Sequence, residues 1–271
     1  MPVERVADLE DPRLADYRHL REPSRRMAVE RDRGIFTLEG ALSVEALLAS
    51  PYAVRSVLVA EEHADKMVAR LGAEVELFAM PADAMTELTG VHFHRGVLAV
   101  AERPEPRSVG EVTQAARTVV VLEGVNDHEN IGAIFRNAAA FGADAILLDP
   151  TTADPLYRRA TRVSLGHVLR VPFARAEPWP GALGELPDRG FTTLGLTPSR
   201  DAEPLSSIIA GLPPRLALVV GAEGPGLTNA ALAAVDRTVR IPMAAGVDSV
   251  NVATAAAIAL CALFGRLDPP G

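Results

Sequence analysis

Val119-Val120-Val121-Leu122-Glu123-Gly124-Val125-Asn126-Asp127-His128-Glu129-Asn130-Ile131-Gly132 is the stretch on which the reading of the fold turns. Its first four residues are apolar and mostly β-branched, the pattern of a strand buried on both faces of a parallel sheet. A polar loop follows, and then a helix over 131–141, ended by Gly142 at the position after the last helical turn. Asn130 is placed to cap that helix, with Arg136 one to two turns inside it. The same alternation continues downstream, with strands expected over 145–148, 192–196, 216–220 and 239–241 and an Ala-rich helix over 250–266. Strands alternating with helices predict an α/β fold, a largely parallel sheet covered by helices.

Upstream, Arg103-Pro104-Glu105-Pro106-Arg107 reads as an extended linker. It predicts a domain over 1–103, a linker over 104–114 and a second domain over 115–271. The first domain is expected to be a small α/β unit, with strands over 35–38, 54–59, 75–78 and 96–100. Helices are expected over 41–49, 64–71 and 81–88, the last with Pro81 in its first turn.

Composition narrows the function classes. With 271 residues, 48% hydrophobic and 23% charged, the chain reads as a globular protein of two modest domains. The first eleven residues show no apolar core of a secretory signal, and the uncharged run 252–264 is too short to span a bilayer and reads as a buried helix. A cytoplasmic, membrane-free protein is expected, and the single Cys261 suits a reducing compartment. A net charge of −8 argues mildly against nucleic acid as a partner. The arginines are clustered, however: Arg18, Arg21, Arg25, Arg26, Arg31 and Arg33 crowd one stretch, and Arg158, Arg159 and Arg162 another. RNA is therefore compatible with the composition without being required by it. His92 and His94 lie on one strand face without a third ligand in view, so no metal is expected.

In an open α/β sheet, ligands sit at the carboxyl ends of the strands. Three loops at such places are rich in glycine and polar residues. The first leads to Asn130 and Arg136. The second is Gly221-Ala222-Glu223-Gly224-Pro225-Gly226, where glycines let the backbone approach a ligand closely. Glu223 at its centre would repel phosphate and no P-loop lysine follows, so the turn suits a neutral or cationic ligand. The third runs from Ile241-Pro242-Met243 to Ser249-Val250-Asn251-Val252, where Ser249 and Asn251 straddle a helix start. Taken singly, each is also an ordinary capped or tight connection.

Together the three loops resemble the ordered motifs of the SpoU (TrmH) family within the SPOUT methyltransferases. The resemblance rests on Asn130-Ile131-Gly132-Ala133-Ile134-Phe135-Arg136-Asn137-Ala138-Ala139-Ala140-Phe141-Gly142, on Gly221-Ala222-Glu223-Gly224-Pro225-Gly226-Leu227, and on Ile241-Pro242-Met243 with Ser249-Val250-Asn251-Val252. It runs from about residue 119 to 263, and Arg162-Val163-Ser164-Leu165-Gly166 resembles a further family segment. The chain departs from the family at His128, Val250 and Ala253, where proline, leucine and serine are usual. More weakly, Phe36-Thr37-Leu38-Glu39-Gly40 and His94-Arg95-Gly96-Val97 resemble the ribosomal-protein-like RNA-binding domain carried by many members.

The resemblance implies a C-terminal trefoil knot, a homodimer, and S-adenosyl-L-methionine as cofactor. It implies cofactor contacts from Leu196, Thr197, Gly221, Gly224, Ile241, Met243 and Val250. The implied reaction is 2′-O-methylation of a ribose in structured RNA, with Asn130, Arg136, Glu223, Ser249 and Asn251 carrying the chemistry. The family account makes Arg136 the base. A guanidinium stays protonated in proteins, so a phosphate clamp beside the target ribose, held in register by Asn130 and Glu223, is the preferred expectation. Ribosomal RNA is expected ahead of transfer RNA. A non-catalytic RNA-binding ribosome-assembly protein and a self-resistance enzyme acting on ribosomal RNA are the alternatives.

Overall fold

A computed structural model describes residues 3–72, 74–91, 96–211 and 213–264. The chain divides into two compact units, Met1–Glu105 with Leu156–Leu169, and Pro106–Pro155 with Arg170–Gly271. The first unit is built from β1 (Glu4–Arg5), α1 (Pro23–Asp32), β2 (Ile35–Glu39), α2 (Ala41–Leu48), β3 (Val54–Ala60), α3 (Ala64–Val68), β4 (Glu76–Met80), α4 (Ala82–Thr89) and β5 (Val97–Glu102). Its sheet has the order β1-β4-β3-β5-β2, parallel except where β5 runs against β2 and β3. Leu14, Tyr17, Ile35, Leu58, Phe78 and Leu98 pack its core. His92, His94 and Arg95 lie outside the described residues.

Helix α1 escapes an apolar-periodicity reading because charge, not hydrophobicity, anchors it. The fully buried Arg26 donates through Nε to Glu30 Oε1 at 2.9 Å and through Nη1 to the Asp16 carbonyl at 2.6 Å, and it also bonds Thr37. Arg18 pairs with Glu10, and Arg33 with Asp16. With Arg25 also 3.6 Å from Glu22, four of the six clustered arginines have carboxylate partners. Arg21, Arg25 and Arg31 remain exposed.

The second unit opens with α5 (Val109–Thr113), β6 (Thr118–Glu123), α6 (His128–Ala140) and β7 (Ala145–Leu148). The chain then contributes α7 (Arg158–Val163) to the first unit, where Arg158 and Arg162 both pair with Glu39. It returns through β8 (Phe173–Arg175), α8 (Gly181–Gly184), β9 (Thr192–Leu196), β10 (Glu203–Pro204), α9 (Leu205–Ile208), β11 (Leu216–Gly221), α10 (Asn229–Ala234), β12 (Arg237–Arg240) and α11 (Val252–Leu263). The sheet is parallel throughout, in the order β10-β12-β9-β11-β6-β7-β8. Val119, Val120, Val121 and Leu122 are wholly buried, as a strand covered on both faces requires.

Three expectations are corrected at helix ends and faces. The cap of α6 is Asp127, whose Oδ1 accepts from the N–H groups of Glu129 at 2.6 Å and Asn130 at 3.1 Å. Asn130 therefore sits inside the first turn, its side chain free for other partners. Pro81 precedes α4 as its cap instead of lying within it. Helix α11 is not buried all round: Thr254, Ile258 and Cys261, on one stripe, are exposed. No helix among the described residues is long and apolar enough to cross a membrane.

Candidate active site

The strands β12, β9 and β11 are neighbours, and their carboxyl ends deliver three irregular segments side by side. Strand β9 ends at Leu196, and the next N–H, of Thr197, donates to the Val239 carbonyl at 2.9 Å. Strand β11 ends at Gly221 and turns through Ala222–Gly226, which the Gly226 N–H closes on the Ala222 carbonyl at 3.0 Å. β12 leads into Ile241 and Met243. These segments and the start of α11 enclose a cavity of about 250 Å³.

Gly221 is required by geometry. A Cβ at this position would lie 2.3 Å from the Gly226 carbonyl carbon and 2.3 Å from the Leu227 nitrogen, inside backbone that cannot yield cheaply. Gly221, Gly224 and Gly226 line the cavity, so the turn presents bare backbone to it at three places. All seven residues expected to contact a cofactor line it: Leu196 and Thr197, then Gly221 and Gly224, then Ile241, Met243 and Val250. Pro198, Val220 and Ala255 line it too and were not anticipated.

Polar groups gather at one side of this cavity. Asn251 caps α11, its Oδ1 accepting from Ala253 N–H at 3.0 Å and Thr254 N–H at 3.3 Å. That fixes its amide so that Nδ2 donates to Asn130 Oδ1 at 2.9 Å and to Glu223 Oε1 at 3.3 Å. Asn130 Nδ2 in turn donates to Glu223 Oε2 at 3.3 Å. One acidic group is thus held by two neutral amides, a site that favours a cationic ligand over phosphate. Ser249 lines the same cavity. Asn137, seven residues beyond Asn130 and so on the same face of α6, bonds the Ala253 carbonyl at 3.1 Å and docks α6 on α11.

Arg136 stands apart. It lies about 120° around α6 from Asn130, is exposed, and forms no hydrogen bond or ion pair among the described residues. The expectation that Asn130 and Glu223 hold its guanidinium is corrected: they bond each other and Asn251 instead.

The loop before α6 is fastened from β7. Burial by itself would raise the Asp149 carboxyl. The Gly124 N–H, the Thr151 hydroxyl, and the hydroxyl and N–H of Thr152 outweigh burial and hold it below its ordinary value. A depressed folded value contributes stability that is full above the unfolded value of about 3.9 and is lost as pH falls through the folded one. Asp149→Asn should therefore flatten the acid-unfolding profile below about pH 4, followed by circular dichroism. A profile as steep as that of the wild type would assign the acid sensitivity to other carboxylates.

Residues 117–261 match the SpoU rRNA Methylase family. An uncharacterised tRNA/rRNA methyltransferase of Mycobacterium tuberculosis is 48% identical over 262 residues, covering 96% of this chain and 91% of the relative. The 23S rRNA (guanosine(2553)-2′-O)-methyltransferase RlmP of Bacillus subtilis is 28% identical, covering 97% of this chain and 100% of its own. In fold, the AdoMet-bound rRNA methyltransferase of Sinorhizobium meliloti superposes with a TM-score of 0.80 at 22% identity, over 98% of this chain and 99% of that one. With three motif loops meeting at the carboxyl ends of one parallel sheet and a family match over more than half its length, the chain belongs to the SpoU rRNA methylase family of methyltransferases.

Proposed function

We propose that the protein methylates a ribose 2′-hydroxyl in structured RNA, ribosomal RNA first, with S-adenosyl-L-methionine as methyl donor. The observation that carries this reading is the acidic, amide-held Glu223 beside a cavity floored by bare glycine backbone. When bound, the cofactor supplies an electrophilic methyl group on a cationic sulfonium. The residues present fit such a group: Gly221, Gly224 and Gly226 line the cavity without side chains, and Glu223 offers a negative charge that no cation pairs among the described residues. Leu196, Thr197, Gly224, Ile241 and Met243 would hold it, with Val250 against its ring.

The target 2′-hydroxyl exists only in RNA and is a poor nucleophile. Arg136, exposed and unpaired among the described residues, is available to clamp the phosphate beside that ribose, and the 2′ proton passes to a phosphate oxygen. Ser249 and Asn251 orient the ribose or the cofactor carboxylate. The domain over 1–103 serves as the RNA-docking domain, supported by exposed Arg21 and Arg31. Exposed Ile258 supports a homodimer through α11, and the enzyme works in the cytoplasm.

Calorimetric titration with S-adenosyl-L-methionine tests the cofactor assignment. Wild type should bind with micromolar affinity, and Glu223→Ala and Asn251→Ala each about tenfold or more weaker, as loss of a hydrogen bond to a charged group predicts. Absence of binding by wild type, with total ribosomal RNA also present, would overturn the assignment. Methyl label from the cofactor should appear in alkali-resistant dinucleotides of ribosomal RNA. Label confined to transfer RNA would move the target.

A further inference from the structure

Glu123 ends β6 in register with Gly221 on β11, yet it does not line the cavity. It is 5% exposed, and among the described residues its carboxylate collects neutral donors only. The Trp179 indole N–H donates to Oε1 at 2.7 Å, the Thr228 hydroxyl to Oε1 at 2.8 Å, and the Thr228 N–H to Oε2 at 2.8 Å. Burying a carboxylate without a cation is costly, and three donors on two oxygens offset much of that cost. Thr228 is also the cap of α10, its hydroxyl accepting from Ala231 N–H at 3.1 Å.

The placement of these contacts gives the carboxylate a role in the site. The turn that carries Glu223 runs between two fixed points: Gly221, locked against Gly226 and Leu227, and Thr228, locked to Glu123. The residue after Glu123 is Gly124, where the loop to Asp127 and Asn130 begins, and Asp149 fastens that loop through Gly124 N–H at 3.0 Å. One side chain therefore stands at the joint between the segment bearing Glu223 and the segment bearing Asn130. Their mutual contact, at 3.3 Å, has little slack before it ceases to be a hydrogen bond.

We propose that Glu123 is a positioning residue of the methyltransferase site, setting the glycine turn in register with α6 without touching cofactor or RNA. The proposal rests on the turn being the cofactor's floor.

Glu123→Gln tests it, because the amide keeps the shape but turns one acceptor into a donor facing donors. In the full-length protein, amides of residues 221–228 should exchange with deuterium about tenfold faster, while those of β7 and β8 keep wild-type protection. Thr228→Val, which removes one donor and leaves Glu123 in place, should move the same amides in the same direction. The dissociation constant for S-adenosyl-L-methionine should rise about tenfold in Glu123→Gln, with RNA affinity within about twofold of wild type. Unchanged exchange across the turn overturns the proposal, and so does exchange accelerated evenly over the whole second unit, the mark of a general stabilising role. A wild type that does not bind the cofactor counts against the functional reading, and the exchange comparison still decides whether Glu123 positions the turn.

Discussion

Gly221→Ala should abolish measurable cofactor binding while leaving a folded, less stable protein. The added Cβ would stand 2.3 Å from two backbone atoms of Gly226 and Leu227, so the turn must move as a unit. Forcing a methyl group into packed backbone costs about 1–3 kcal/mol, which for a chain of this size lowers the thermal midpoint by roughly 2–12 °C. The functional loss should be larger than the stability loss. A displacement on the order of 1 Å in a positioning element costs about a hundredfold, and this turn carries Glu223 as well as the cavity floor. Gly224→Ala is the informative comparison. Its φ of +90° strains any side chain, but nothing lies within 4 Å of the new Cβ, so it imposes strain without collision. Scanning fluorimetry and calorimetry on both variants should show the cofactor lost in Gly221→Ala and merely weakened in Gly224→Ala. Retention of wild-type affinity by Gly221→Ala would remove the turn from the cofactor site.

The parallel sheet was legible in the sequence because its central strands announce themselves. Val119–Leu122 is an unbroken apolar run, and burial on both faces leaves no polar alternation to confuse it. The loops were legible because glycine and capping residues have positional meaning. Gly221 turned out to have no room for a side chain, and Asn251 does cap α11. What was not legible depended on partners distant in sequence. Asp127 and Asn130 are both good caps, and only the structure shows that Asp127 takes the role, which frees Asn130 to meet Glu223 93 residues away. Helix α1 has almost no apolar face, because a buried arginine holds it. Glu123 gave one weak signal, a carboxylate closing an otherwise apolar strand, but its donors Trp179 and Thr228 lie 56 and 105 residues further on. The direction of Arg136 relative to the cavity is likewise not legible in its motif. Its spacing from Asn130 puts it on another side of α6, and the motif alone does not say which side faces the cavity.

Arg136→Ala should lower kcat by about a hundred- to a thousandfold, the range for loss of one preorganised electrostatic contact, and leave cofactor affinity within about twofold of wild type. The two halves of this expectation come from one geometry: Arg136 is exposed on α6, outside the cavity lining and outside the Asn130–Glu223–Asn251 network. A residue that touches neither the floor nor the acidic group has no route to ground-state cofactor binding. It can act on RNA, and the conservative variant shows how. A phosphate clamp uses the planar, two-pronged guanidinium, and an ammonium replaces only the charge. A base uses a releasable proton, and an ammonium gives one up more readily than a guanidinium does. Arg136→Lys should therefore lose at least about tenfold in kcat/KM for RNA if the clamp is right. It should hold or gain turnover, increasingly so as pH rises, if Arg136 is the base. Steady-state rates across pH on wild type and both variants separate these mechanisms, because the clamp predicts a deficit in the lysine variant that persists at every pH and the base predicts one that closes toward alkaline conditions.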